Sequence, residues 1–450
     1  MKNIRSIILA AGEGTRFKSD TPKVLHRVLG KTMLERVFDT VRDLADKTIV
    51  VVGHKAGAVR ESIPDKSVVF VEQKKQLGSG DAVKQAETAL KNFTGDVVVL
   101  CGDTPLLRKE TIKELVAFHK KNAAVCTVLT CDVGNPFGYG RIVRCGGNVS
   151  GIVEEKDASD EIKKIKEINT GTYVFSSREL FGALKKVKSN NAKKEYYLTD
   201  VISILNSEGK KVSAYKTCWQ NYGMGINNRC ELAVAEGIAR KRILDNLMLS
   251  GVSIVDPATV YIDESVEIER DTVILPSTII KGKTKIKTGS VIGPFSYIED
   301  SSIGQNVEVK ASFVYGAEIA EDVKIGPYSH IRKETKIAAK AKIGNFSEIK
   351  KSYIGVNTKV SHLSYIGDSH LEKNINVGAG TITCNYDGKN KHQTKIGEGS
   401  FIGSNTNLVA PVIIGKGVLI AAGSTVTDDV PDGVLVIARS RQVVKEKKKK

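Results

Sequence analysis

The chain has 450 residues, 41% of them hydrophobic, 26% charged and 41 of them Gly, which is enough apolar material to offset chain entropy by burial and excludes wholesale disorder. Lys and Arg exceed Asp and Glu by 68 − 51 = +17, a balance that suits anionic partners. Only 6% of residues are aromatic and none cluster with basic residues into a base-stacking platform, so small phosphorylated molecules are expected, with no nucleic acid and no membrane among the partners.

The seven cysteines are odd in number and no pair has CxxC spacing, so neither a disulfide framework nor a zinc ribbon fits, and a cytoplasmic location is expected. The apolar run 7–11 is too short for a signal peptide, and Gly12 ends it. The run 445–450 holds five Lys and one Glu and reads as a solvated terminus.

From the first residues, aliphatic runs at 4–11, 48–52, 68–71, 96–100 and 124–129 alternate with helical patterns at 33–44, 80–91 and 109–121. Continuous aliphatic strands separated by helices predict a Rossmann-like α/β domain with a mostly parallel sheet covered on both faces. The first strand runs into Leu9-Ala10-Ala11-Gly12-Glu13-Gly14-Thr15-Arg16, a Gly-rich turn whose backbone N–H groups can approach phosphates. It is neither GxGxxG nor a Walker A loop, since Leu25 stands where the latter needs Gly ahead of Gly30-Lys31. Arg16 and Lys23 add two cations just downstream, and Asp103 follows the run 97–100 at a strand's C-terminal edge, where ligands bind in open α/β sheets and where a carboxylate suits Mg²⁺. The stretch 228–251 is rich in Ala, Leu and Arg, and reads as a connecting helix that Gly251 stops.

Beyond residue 252 helical periodicity vanishes. An aliphatic residue followed by Gly recurs from Ile292-Gly293 to Ile414-Gly415, and the Gly-to-Gly steps lie on or within one of multiples of six, apart from one step of 22. This hexapeptide rhythm predicts a parallel β-helix with the aliphatic side chains stacked inside. A β-sandwich would need strands every 8–12 residues with strict alternation, which fits less well. The segment 373–394 departs from the rhythm and should contain a loop leaving the coil.

Motifs in both halves now combine. LAAGEGTRF, TPKVLHRVLGKTML, QLGSG, GDTPLL, GYGRIV, GIVEEKDA, EINTGTYVF and YYLTD, followed by the hexapeptide half, resemble the family of bacterial bifunctional UDP-N-acetylglucosamine pyrophosphorylases / glucosamine-1-phosphate N-acetyltransferases over nearly the whole chain. The resemblance implies a uridylyltransferase domain at 1–227, a linker helix at 228–251 and a left-handed β-helix acetyltransferase domain at 252–450. It implies UTP and acetyl-CoA as co-substrates, Mg²⁺, a homotrimer, and the supply of precursors for peptidoglycan and lipopolysaccharide.

Carried over residue by residue, the resemblance gives Leu9, Ala10, Ala11 and Gly12 to the nucleotide, Arg16 and Lys23 to the phosphates, and Gln73, Gly78 and Ser79 to uracil. Asp103 and Asn227 would hold Mg²⁺. Gly140, Glu154, Asn169 and Tyr197 would line the sugar pocket, and Cys101 stands where the family usually has Tyr. In the β-helix, Arg332, Lys350, Tyr365 and Asn376 would bind glucosamine-1-phosphate. Ala379, Asn385, Tyr386, Ser404, Ala422 and Arg439 would contact acetyl-CoA. An imidazole titrates near pH 6.5 and can take a proton at neutral pH, so His362 is the expected base for acetylation, with Glu348 as its orienter.

Two other readings use the same architecture: a monofunctional nucleotidyltransferase whose β-helix only oligomerises or regulates, and a non-catalytic assembly subunit. His362, Asn385-Tyr386 and the Arg332/Lys350 pair weigh against the first. Arg16, Lys23, Asp103 and Asn227 weigh against the second.

Overall fold

A computed structural model describes residues 3–218 and 223–446; the end of the Lys-rich run, from 447, lies outside them. The backbone divides into two compact units, Met1–Ala239 and Arg240–Lys450.

The first unit is built on one sheet. Its strands are β1 (Ile4–Ala10), β2 (Lys47–Val52), β3 (Val68–Glu72), β4 (Asp96–Cys101), β5 (Cys126–Asp132), β6 (Arg141–Cys145), β7 (Asn148–Val153), β8 (Glu167–Ser176) and β9 (Val212–Thr217). Their spatial order is β9-β5-β8-β4-β1-β2-β3, with the β6–β7 hairpin attached through β8. β1 runs parallel to β2 and β4, β2 to β3, and β9 to β5; β8 alone in the main path is antiparallel to its neighbours. The sheet's two faces are read off by alternation. Ile7, Ile49, Val51, Val97 and Val99 pack into one core, and Ile4, Ile8, Val50, Val52, Val98 and Leu100 into the other. Helix α1 (Met33–Val41) starts at a capping box in which Thr32 Oγ1 accepts from Glu35 N at 3.1 Å and Glu35 Oε2 accepts from Thr32 N at 2.6 Å. The expected helix at 80–91 is broken: α2 (Ser79–Lys84) gives way to a 3₁₀ turn at Thr88–Leu90. The hairpin of β6 and β7 is not apparent from the aliphatic runs; Gly146 and Gly147 turn it with φ of 56° and 85°.

The second unit is a left-handed parallel β-helix with three faces, whose sheets contain eleven, ten and nine short strands. Apart from one longer step, the coils advance 16 to 18 residues, as in Ile274↔Ile292, Ile292↔Val309 and Val309↔Ile325. One aliphatic residue per face points inward, so Ile280, Ile298, Val314, Ile331, Ile349 and Ile366 form one column of the core. Each contributes roughly 2 kcal/mol by burial. The residue after each inward aliphatic turns the corner against the next coil. A Cβ on Gly344 would lie 1.8 Å from the Ser361 carbonyl oxygen, so only Gly fits there. Where Leu371 pairs with Ile396 the step is 396 − 371 = 25 residues, and the surplus leaves the coil between the strands Ile382–Cys384 and Thr394–Ile396. A helix of 21 residues, α3 (Arg229–Leu249), carries the chain across the boundary at Ala239.

Candidate active sites

The first site lies beyond the C-terminal ends of β1 and β4. Leu9, Ala10, Gly12, Arg16, Lys23, Asp103 and Asn227 line a cleft of about 170 Å³, while Ala11 is buried just beneath it. Lys23, on a 3₁₀ turn that opens after Pro22, forms an ion pair with Asp103 and donates to Asn227 Oδ1 at 2.9 Å. Arg16 Nη2 donates to the same amide oxygen at 2.7 Å. Asn227 is fixed in turn: its N–H donates to Glu231 Oε2 at 2.7 Å and its Nδ2 to the Gly225 carbonyl at 3.0 Å.

Asp103 and Asn227 thus aim two hard oxygens at one cationic point, the Lys23 ammonium. That donor set fits Mg²⁺, which takes one or two protein oxygens and fills its remaining positions with water and substrate phosphates. Among the described residues no cluster of three His, Cys, Asp or Glu offers an alternative metal cage.

The expected uracil and sugar residues fall into two groups. Gln73 Nε2 donates to the Gly78 carbonyl at 3.1 Å and to Asp81 Oδ2 at 2.8 Å. Gly78 has φ 110° and its missing Cβ would lie 2.6 Å from the Tyr196 carbonyl oxygen. Ser79 Oγ accepts from Leu198 N at 3.1 Å, so its oxygen already holds the following loop. In the second group, Gly140 packs on Glu154, 3.3 Å from a notional Cβ to Oε1, and burial raises the Glu154 carboxyl above its ordinary range. Asn169 Nδ2 donates to the Tyr173 hydroxyl at 2.7 Å, and the Tyr197 hydroxyl is buried without a hydrogen-bond partner among the described residues. Cys101 faces Gly171, its thiol 3.6 Å from the carbonyl oxygen, and burial pushes its pKa up to about 12.

The second site is built on the edges of the β-helix. Register places Asn345 opposite His362 and Val360 opposite Val377, Val377 opposite Ile402, and Ile402 opposite Ile420. Two residues beyond each of these inward positions, Asn345, His362, Ala379, Ser404 and Ala422 therefore follow one another up a single edge. One coil rises about 4.8 Å, so the candidate base and three candidate acetyl-CoA residues share one row. Arg439 Nη1 donates to the Ala422 carbonyl at 2.9 Å at the upper end of this row.

The cations stand at the next edge, beyond the strands Glu348–Lys350 and Tyr365–Gly367. Arg332, Lys350, Asp368 and Lys391 line a cleft of about 560 Å³. Lys391 comes from the extruded loop and lies against Lys350, which holds its ammonium below the ordinary range. Asn385 Nδ2 donates to Asp368 Oδ2 at 2.6 Å and to the Tyr365 hydroxyl at 3.4 Å. Tyr386 OH donates to the Gly388 carbonyl at 2.6 Å. Asn376 lies on a different face, in the strand Asn376–Val377, and makes no side-chain hydrogen bond to these groups among the described residues.

One expectation is corrected. Glu348 does not orient His362: its carboxylate takes Arg332 Nη1 at 2.8 Å. His362 Nδ1 instead meets Asn345 Oδ1 at 2.9 Å. Glu348 pairs with Tyr365 across the coils, whereas Asn345 pairs with His362, so strand register decides the partner. Asn345 and Lys391 were missed from sequence. A coil step of 17 would have pointed to the first; nothing in the loop's composition singles out the second.

Residues 6–200 match the MobA-like NTP transferase domain, and residues 393–428 match the bacterial transferase hexapeptide family (six repeats). The "Bifunctional protein GlmU" of Halalkalibacterium halodurans is 50% identical over 99% of this chain and 98% of its own length. The proteins of the same name from Geobacillus sp. and Clostridium acetobutylicum are 52% and 48% identical, each over 98% of this chain and 96% and 97% of their own lengths.

Proposed function

The chain belongs to the family of the bifunctional protein GlmU, and from that premise we propose how its two halves divide the chemistry. It is a nucleotidyltransferase and an acetyltransferase: it acetylates glucosamine-1-phosphate from acetyl-CoA, then transfers UMP from UTP to N-acetylglucosamine-1-phosphate and releases pyrophosphate, a precursor route to the cell wall. We assign uridylyl transfer to 1–227, acetyl transfer to 252–450, and the joining helix to 228–251. The observation that carries this division is the contrast between an oxygen-and-cation cleft at the strand ends of one unit and an imidazole-bearing edge on the other.

In uridylyl transfer an oxygen of the sugar phosphate attacks the α-phosphorus of UTP in line, and the bond from the α-phosphorus to the bridging oxygen of pyrophosphate breaks. Such transfers need positioning and charge neutralisation more than proton transfer. The Gly12–Gly14 turn presents backbone N–H groups. Arg16 and Lys23 move from Asn227 and Asp103 onto the leaving pyrophosphate. Asp103 and Asn227 would hold Mg²⁺, which when bound neutralises charge on both reacting phosphates.

In acetyl transfer His362 removes a proton from the amine, whose nitrogen attacks the thioester carbonyl; the C–S bond breaks and coenzyme A leaves as the thiolate. Arg332, Lys350 and Lys391 neutralise the substrate phosphate. Ser404, on the same edge as His362, donates to the thioester oxygen. Within one chain Asn376 is on another face from the cations, which favours a site completed between copies in a homotrimer. Phe295, Tyr328, Phe346 and Leu363, all more than half exposed at adjacent corners, offer the apolar contact. We place the enzyme in the cytoplasm, where its substrates are phosphorylated metabolites.

The test is direct. Incubated with glucosamine-1-phosphate, acetyl-CoA, UTP and Mg²⁺, the protein should yield UDP-N-acetylglucosamine by mass. Its absence, with either half-reaction silent, would reject the bifunctional assignment.

A further inference from the structure

We propose that Asn345 is the positioning residue that fixes the tautomer of His362 and leaves Nε2 as the proton acceptor in acetyl transfer. This rests on the reading of His362 as the base. The two residues are Cα partners on successive coils, and Asn345 Oδ1 lies 2.9 Å from His362 Nδ1. An amide oxygen only accepts, so the proton of a neutral imidazole must sit on Nδ1 and the lone pair on Nε2.

Asn345 is itself held still. Its carbonyl accepts from Leu363 N at 2.9 Å, and Gly344 beside it packs too closely on Ser361 to admit a Cβ. From the other side Ser364 Oγ donates to the His362 carbonyl at 2.7 Å. The imidazole is thus gripped by its own backbone and by one ring nitrogen, with the second nitrogen unpaired among the described residues.

The chemical identity of the partner matters as much as its position. A carboxylate at this point would orient the ring equally well, but would favour the imidazolium. A base must be unprotonated before it acts. An amide orients without adding charge, while the neighbouring carboxylate, Glu348, is committed to Arg332. The strands packed around the ring bring little else that titrates. Lys342 and Lys359 stand at the far ends of the strands Lys342–Asn345 and Lys359–His362, Asn376–Val377 brings no charge, and Tyr365 lies beyond the corner.

The test uses three variants of the full chain: Asn345→Ala, Asn345→Asp and His362→Ala. Each is assayed for acetyl transfer across pH 5.5–9, a window of roughly one unit below to a few above the imidazole range. Asn345→Ala should lower kcat roughly 10- to 100-fold, as misplacement of a reacting group does, with KM for glucosamine-1-phosphate nearly unchanged. Asn345→Asp should recover much of the rate at alkaline pH, while the acid limb of its profile moves up by about one unit or more. A purely packing role would move neither limb. If His362→Ala is inactive but Asn345→Ala matches the parent in rate and profile, the positioning role is wrong. If His362→Ala itself keeps more than a tenth of the rate, the base assignment falls and this proposal with it. Should Asn345→Ala fail to fold, the isosteric Asn345→Asp decides by its profile alone: an unmoved acid limb overturns the proposal.

Discussion

In the nucleotide cleft the cations are already neutralised. Lys23 sits on Asp103, and with Arg16 it shares the Asn227 amide oxygen. In the β-helix cleft Lys350 and Lys391 face each other; Glu348 is taken by Arg332, and Asp368, held by Asn385, offsets only part of their repulsion. The first site must exchange internal partners for phosphate when substrate arrives. The second keeps like charges together, and a phosphate dianion relieves their repulsion. The difference follows from architecture. Loops beyond strand ends can fold charged side chains onto one another, whereas the register of a β-helix dictates which residues are neighbours.

The comparison breaks most sharply on single residues. His362→Ala should lower acetyl transfer by roughly 10²–10⁴-fold, the usual contribution of a positioned base, and part of the loss should return at high pH, where more of the amine is free. Uridylyl transfer from supplied N-acetylglucosamine-1-phosphate should stay at the parent rate. Asp103→Ala should do the reverse, with uridylyl transfer down roughly 10²–10³-fold, as for loss of a preorganised electrostatic group, and acetyl transfer intact. Normal uridylyl turnover in that variant at ordinary Mg²⁺ would sink the metal assignment.

A smaller effect separates the two kinds of charge management. Lys391→Gln should raise KM for glucosamine-1-phosphate about tenfold, the value of one charge-assisted hydrogen bond, without lowering Tm. The sign follows from Lys350, which holds the Lys391 ammonium below its ordinary 10.5. Between that lowered value and 10.5 the unfolded chain binds more protons, so stability rises with pH there, and at neutral pH the protonated form opposes folding. A fall in Tm on neutralising Lys391 would show that its charge is paired rather than repelled. A fragment beginning near residue 252 should retain acetyl transfer and sediment as a trimer, because the column of inward Ile and Val residues is its own core. A fully active monomer would exclude a site shared between copies.

The smallest effect concerns the thiol that replaces the expected aromatic ring. With its pKa pushed up to about 12 by burial, Cys101 has almost no thiolate at pH 8, and the thiolate is the reactive form. Alkylation there should label the exposed Cys145, Cys218 and Cys230 and spare Cys101, as read by peptide mass. Rapid labelling of Cys101 would mean that its pocket opens.

The two halves were unequally legible in sequence. The hexapeptide rhythm exposes the coil because its period is physical: every sixth residue or so must be aliphatic, and a Cβ at Gly344 would strike the neighbouring coil. The strands of the first unit were readable from aliphatic runs, but its hairpin and the break after Lys84 were not, since both depend on local turns within otherwise ordinary composition. The cleft residues Arg16, Lys23 and Asp103 could be picked out by their place after strands. Asn227, 124 residues beyond Asp103, came only through family likeness, and its oxygen reaches the cleft through contacts with Glu231 and Gly225. Glu348 is the residue expected to complete a base–orienter pair with His362. The register that gives the place to Asn345 is a property of coil length, not of residue type.

The central claim is that two complete and independent chemistries sit in two units of one chain, and mixing the two single-site variants tests it most directly. Supplied with glucosamine-1-phosphate, acetyl-CoA, UTP and Mg²⁺, Asp103→Ala alone should stop at N-acetylglucosamine-1-phosphate, and His362→Ala alone should leave glucosamine-1-phosphate unacetylated. Together they should produce UDP-N-acetylglucosamine after a lag, as the released intermediate passes from one protein to the other. A folded single variant that has lost both half-reactions, or a mixture that makes no UDP-N-acetylglucosamine, would contradict the separation of the sites.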